Sequence, residues 1–148
     1  MATVKTATDS KTWWPPTVVP PKGAPNVLLI LVGSMGSEWK EHFALHLGPV
    51  MLPIDRAIPL GLVVTELVIN VNKYAYSGEP GAIEITLTED QARFRLVVAD
   101  KGRGRTSARQ GFGTRMMTAL VSQLSGHLDF EDNAPGVRVV LSAPIMHQ

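Results

Sequence analysis

Glu66, Asn70 and Lys73 lie in the stretch Leu60 to Tyr76, LGLVVTELVINVNKYAY. On a helix the three fall within roughly 60° of one another, while Leu60, Val63, Val64, Leu67, Val68, Val71 and Ala75 collect on the other side. One face then offers an acid, an amide and an amine. These can act as a proton acceptor, an oxygen ligand for a hard cation and a counter-charge for an anion. Taken alone, the triplet is better explained by a core helix whose polar side is simply solvated.

Two later stretches add to it. Asp100-Lys101-Gly102-Arg103-Gly104 directly follows the apolar run Arg95-Leu96-Val97-Val98-Ala99. A carboxylate at a strand end, followed by glycines that let the backbone come close, can grip a polar ring edge; by itself the pattern also describes an ordinary turn. Gly111-Phe112-Gly113-Thr114 opens a helical pattern, where free N–H groups and the positive dipole end can hold a phosphate.

In this order the three stretches resemble the ATP-binding domain of bacterial sensor histidine kinases, within the superfamily that also holds gyrase, a heat-shock chaperone and MutL. The N box corresponds to Glu66, Asn70, Lys73 and Tyr74, the G1 box to Asp100, Gly102 and Gly104, and the G2 box to Gly111 and Gly113, with Thr114 beside it. The likeness runs from about residue 42 to 145. It implies the Bergerat fold and binding of ATP with Mg²⁺. Asp100 would accept a hydrogen bond from the exocyclic amine of adenine, which guanine lacks at that position. Asn70 would ligate Mg²⁺, Lys73 would offset phosphate charge, and Glu66 would polarise the attacking group or hold a magnesium-bound water. Two positions depart from the family pattern: Lys101 stands where a small polar or acidic residue is usual, and Thr65 where related kinases often have Asn.

The resemblance also implies a partner. The γ-phosphate would pass to a histidine on a separate dimerising helical domain, with a response regulator as a further partner. His42, His46, His127 and His147 read as surface or packing residues. Two alternatives remain: a stand-alone serine kinase of the anti-sigma type, and a non-catalytic or engineered scaffold with a vestigial pocket.

The chain has 148 residues, 45% hydrophobic and 18% charged, with a net charge of +1 and no cysteine. That length holds one domain with a sizeable core. The near-neutral balance gives no reason to expect nucleic acid or an acidic membrane as partner. Without cysteine there is neither a disulfide framework nor a thiolate metal site, which permits a reducing cytoplasm. The longest apolar runs, Val27 to Val32 and Leu60 to Val64, are far short of the ~20 residues that span a bilayer.

Residues 1–36 read as a proline-rich arm with an appended strand, and residues 37–148 as the kinase-like domain. The sequence PPKGAPNVLLILV is similar to the start of an arylsulfatase, but Gly33 and Ser34 stand where that family's metal-binding aspartates would be. GSMGS at 33–37 looks like a cloning join, so this part reads as a fusion. An added apolar strand would extend a sheet edge and offer a template for homodimer pairing.

Within the domain, Glu41 to Leu47 alternates as a first strand with its histidines outward. Asp55 offers an N-cap for the central helix, with Pro59 near its first turn. Ala82 to Thr88 and Ala92 to Ala99 alternate as an antiparallel hairpin linked by Glu89-Asp90-Gln91. Lys101 to Gln110 forms a cationic loop of the kind expected for an ATP lid, or a solvated surface loop. Phe112, Met116, Leu120 and Leu124, with Met117 and Val121, mark a second amphipathic helix that Gly126 ends. His127 to Glu131 and Val137 to Leu141 make a closing hairpin. The order predicts a two-layer α/β sandwich, its mixed and mainly antiparallel sheet covered by helices on one face.

Overall fold

The computed structural model describes residues 39, 41–104 and 112–146, with only the backbone of 112–114. The proline-rich arm, the appended strand at 25–34, most of the cationic loop, Gly111 and His147 lie outside the described residues. The elements in chain order are β1 (Phe43–Leu47), α1 (Ile54–Asn70) continuing into a π-helical turn (Val71–Ala75), β2 (Ile83–Asp90), β3 (Arg93–Asp100), α2 (Phe112–Gln123), β4 (His127–Asp132) and β5 (Val137–Pro144). The five strands form one sheet in the order β1-β2-β3-β5-β4. Only β1 and β2 run parallel; the other three pairings are antiparallel. The expected mixed α/β sandwich is the observed fold.

Parallel neighbours cannot be joined by a tight turn, so α1 is the crossover between β1 and β2. Its apolar side is the one that the helical wheel picks out: Leu60, Val63, Val64, Leu67, Val68, Val71 and Ala75 are all buried. They meet the inward residues of the sheet, Ile83, Ile85 and Leu87 on β2, Phe94, Leu96 and Val98 on β3, and Val139, Leu141 and Ala143 on β5. Each such leucine, isoleucine or phenylalanine contributes about 1.5–3 kcal/mol through burial. That outweighs the modest helix penalty of the β-branched residues in α1. Met117 and Val121 from α2, with Leu124 directly after it, join the core.

Several boundaries differ from the sequence reading. The N-cap of α1 is Pro53, with no side-chain cap; Asp55 stands in the first turn, where its charge faces the positive dipole end. Pro59 sits a turn deeper and is buried. The α-helical part stops at Asn70, and the π turn shifts everything beyond it. In the first hairpin β2 runs on to Asp90 while β3 starts at Arg93, one residue later than expected, so the link is Gln91-Ala92, with φ of 48° and 63°. A two-residue loop of this kind needs positive φ at both positions so that its twist matches the strands.

At the end of α2 the left-handed residue is Ser125, φ 50°, not Gly126. The amides of Ser125 and Gly126 donate to the carbonyls of Ser122 and Val121, which is a Schellman ending. Gly126 is needed for room instead, since a Cβ there would lie 3.0 Å from Leu141 and 3.2 Å from Ala143. Met116 lies off the buried stripe and is 37% exposed. His42, His46 and His127 are exposed, and His127 pairs with Asp129 at 3.0 Å. No helix among the described residues is long and apolar enough to cross a membrane.

One buried charge went unread in the sequence. Arg56, 1% exposed, donates through Nη2 to the carbonyl of Leu124 at 2.5 Å. That carbonyl belongs to the last turn of α2, where helix acceptors lack partners and the dipole is negative. The contact ties the start of α1 to the end of α2.

Candidate functional site

Asp100 ends the central strand β3 and is 2% exposed. Its Oδ1 accepts the backbone N–H of Gly102 at 2.9 Å and that of Val137 at 3.3 Å. Among the described residues no donor reaches Oδ2. A buried carboxylate with one oxygen engaged by the protein and the other available can take a hydrogen bond from a ligand without being reoriented. The turn between β4 and β5 folds around it. Gly136, φ 101°, approaches so closely that a Cβ would fall 2.1 Å from the Asp100 carbonyl oxygen and 2.8 Å from Oδ1.

The end of the N-box helix packs against the segment that follows Asp100. The hydroxyl of Tyr76 accepts the N–H of Lys101 at 3.0 Å and donates to the carbonyl of Ala82 at 2.7 Å. The carbonyl of Ala75 accepts the N–H of Arg103 at 3.3 Å. Gly102 lies so near Ala75 that a Cβ would come within 2.5 Å of its Cβ and its oxygen. Gly104, φ 79°, runs past Gly136. Gly102 gives room for the contact with Ala75, and Gly104 supplies the positive φ with which the chain passes Gly136. Sequence reasoning missed Tyr76, whose hydroxyl bridges two loops; its only signal was a phenol at the end of an apolar helix.

The N-box side chains stand on the polar side of α1 and its extension. Glu66, Asn70 and Tyr74 are half-buried and Lys73 is exposed, with its Nζ 5.2 Å from the centroid of the Tyr74 ring, within cation–π range. Among the described residues neither Glu66 nor Asn70 hydrogen-bonds to Asp100, so the two groups meet through Ala75 and Tyr76. An open depression next to them is lined by Ile69, Asn72, Lys73, Ser77 and Gly78; among the described residues the buried Oδ1 of Asn72 has no hydrogen-bond partner. In the G2 box, Gly113 and Thr114 fall in the first turn of α2, while Gly111 and both side chains lie outside the described residues.

The two departures from the family pattern have visible local roles. Thr65 Oγ1 donates back to the carbonyl of Gly61 at 2.8 Å, a bond within the helix. Lys101 reaches across to the β4–β5 turn, donating through Nζ to the carbonyl of Asn133 at 3.2 Å.

Among the described residues no cluster of three or more His, Asp or Glu could hold a metal by itself. This donor set suits a magnesium ion only in the manner usual for that ion, with one protein oxygen and the rest from phosphate and water.

Comparison with solved structures gives the same fold. The blue-light activated histidine kinase EL346 of Erythrobacter litoralis superposes with a TM-score of 0.66 at 22% identity, covering 82% of this chain and 39% of that one. The mycobacterial sensor histidine kinase MprB gives 0.64 at 21%, over 80% of this chain and 92% of that one. Full-length ShkA, solved in complex with AMPPNP, gives 0.68 at 19%, over 84% and 30%. The chain thus spans well under two thirds of the first of these kinases. No curated protein matches it. The model of the histidine kinase-like ATPase domain matches residues 37–142, a span that contains β1 to β4, all of β5 but its last two residues, the N-box helix and the Asp100 cradle. This chain belongs to the histidine kinase-like ATPase domain family.

Proposed function

We propose that the chain is the ATP- and Mg²⁺-binding catalytic domain of a sensor histidine kinase, which presents the γ-phosphate to a histidine on a separate domain. The observation that carries the reading is the buried Asp100, whose Oδ1 is held by Gly102 and Val137 while no donor among the described residues reaches Oδ2. Oδ2 would accept the exocyclic amine of adenine, a charge-assisted bond contributing about 1.5–3 kcal/mol. Asn70 would hold Mg²⁺ through its amide oxygen, and the bound ion would neutralise charge on the phosphates. Lys73, exposed and close to the Tyr74 ring, can swing to the phosphate tail, and Tyr74 would line that side of the pocket. Glu66, a turn before Asn70 on the same face, would orient the accepting group or a water on the ion. Gly102 and Gly104 keep the G1 backbone near the ligand, and Gly111, Gly113 and Thr114 would supply N–H groups to the phosphates. The site lies in a chain compatible with the cytoplasm, and its partners would be the histidine-bearing dimerisation domain and a response regulator.

A calorimetric titration with Mg·ATP and Mg·GTP tests the pocket. ATP should be preferred, and Asp100→Asn should remove most of the signal. Incubation with γ-labelled ATP and a histidine-bearing helical domain tests the transfer: label on that domain is expected, whereas ATP binding without label on any histidine would refute it.

A further inference from the structure

We infer that Asn133, in the turn between β4 and β5, is a positioning residue for purine recognition, acting through Asp100. The inference rests on the ATP reading above and adds a residue that the N, G1 and G2 boxes do not contain. The β3–β5 ladder ends at the pair Ala99 and Arg138. One residue further, Val137 pairs with Asp132 of β4, and its N–H is turned onto the Asp100 side chain at 3.3 Å. The Asp100 carbonyl has therefore run out of β5 backbone donors. Asn133 supplies one from its side chain: Nδ2 donates to that carbonyl at 2.7 Å.

Asp100 is thus gripped at two points from the same turn. Asn133 fixes its main chain and Val137 fixes its carboxylate. The turn is itself braced by the Asn133 N–H to the Gly136 carbonyl at 3.2 Å, by the Ala134 N–H to Asp132 Oδ1 at 3.1 Å, and by the Lys101 ammonium on the Asn133 carbonyl. A carboxylate whose backbone is free to pivot would point Oδ2 over a range of directions. Binding would then have to order it at an entropic cost. Asn133 removes that freedom before the ligand arrives, and its influence should reach only the purine end of the nucleotide.

The test is calorimetry on the full chain with Mg·ATP, Mg·GTP and magnesium tripolyphosphate, for wild type, Asn133→Ala and Asn133→Asp, each with its melting temperature. Loss of one neutral hydrogen bond should weaken ATP binding about five- to tenfold. The preference for ATP over GTP should shrink by a similar factor, with tripolyphosphate unchanged. Asn133→Asp, nearly isosteric but facing the carbonyl with an acceptor, should lose at least as much. Full ATP affinity in folded variants would overturn the proposal. So would equal losses for ATP and tripolyphosphate, or failure of both variants to fold, since each marks a general structural role. Asp100→Asn separates the two ideas: if it too binds ATP as wild type does, the pocket reading fails, whereas loss in Asp100→Asn with none in Asn133→Ala sinks this inference alone.

Discussion

Gly102→Ala tests whether the N-box helix and the segment after Asp100 must touch. The added Cβ would stand 2.5 Å from both the Cβ and the carbonyl oxygen of Ala75. Carbon atoms rest at about 3.5–4.0 Å, so the segment must retreat by about 1 Å. Two hydrogen bonds cross the same gap, Lys101 N–H to the Tyr76 hydroxyl at 3.0 Å and Arg103 N–H to the Ala75 carbonyl at 3.3 Å. A retreat of that size breaks both. At about 0.5–1.5 kcal/mol each, the assembled geometry loses about 1–3 kcal/mol, or about 5- to 150-fold in ATP affinity. Gly78→Ala is the matched control. Its φ of 91° makes the substitution strained, but nothing lies within 4 Å of the new methyl. It should cost stability of about 1–2 kcal/mol and leave nucleotide affinity alone. Titration of both variants with Mg·ATP, alongside thermal melts, decides the matter. Gly102→Ala binding within twofold of wild type would refute the argument that contact between these segments builds the pocket.

Leu67→Ala, in the buried stripe of α1, should destabilise the fold by about 2–5 kcal/mol in urea unfolding through transfer and cavity costs; a loss under 1 kcal/mol would mean that the stripe packs loosely. Ser125→Gly should stabilise by about 1 kcal/mol, because Ser125 holds a left-handed conformation at the helix end, and differential scanning fluorimetry should register a higher melting temperature. Replacing Gln91-Ala92 by Asn-Gly should also raise the melting temperature, since both positions already have positive φ. No rise would indicate that the strands, not the turn, set the register.

The helical wheel placed all seven apolar residues of the α1 stripe correctly, because a crossover helix has one sheet to face and its burial pattern is written at period 3.6. Alternation likewise marked β2 and β3. What stayed hidden was set by tertiary contacts. The Gln91-Ala92 turn lacks the Gly or Asn that advertises positive φ, so the link read as longer than it is. The π turn after Asn70 has no compositional mark, and it moves Tyr76 to where its hydroxyl can bridge Lys101 and Ala82. The motifs named Asp100 and its glycines, and Gly102 does hold the carboxylate, yet the other two groups that hold the aspartate come from Asn133 and Val137, more than thirty positions further on, and no local pattern links them. Arg56 was unreadable for the same reason, its acceptor being 68 residues distant.

The cradle of Asp100 has a consequence for the birth of the domain. Its walls come from three regions of the chain, at 75–76, 100–103 and 133–137, and the last of these belongs to the β4–β5 hairpin, which follows the other described elements in the chain. A nascent chain halted before that hairpin would already contain the aspartate, the helix beside it and the Gly102 amide, but not the Val137 amide or the Asn133 side chain that complete the grip. A ligand that Asp100 gripped in the proposed way would therefore select the finished fold over any partial one. Saturating it at a hundred times its dissociation constant would add about 2.7 kcal/mol to the unfolding free energy of the whole domain.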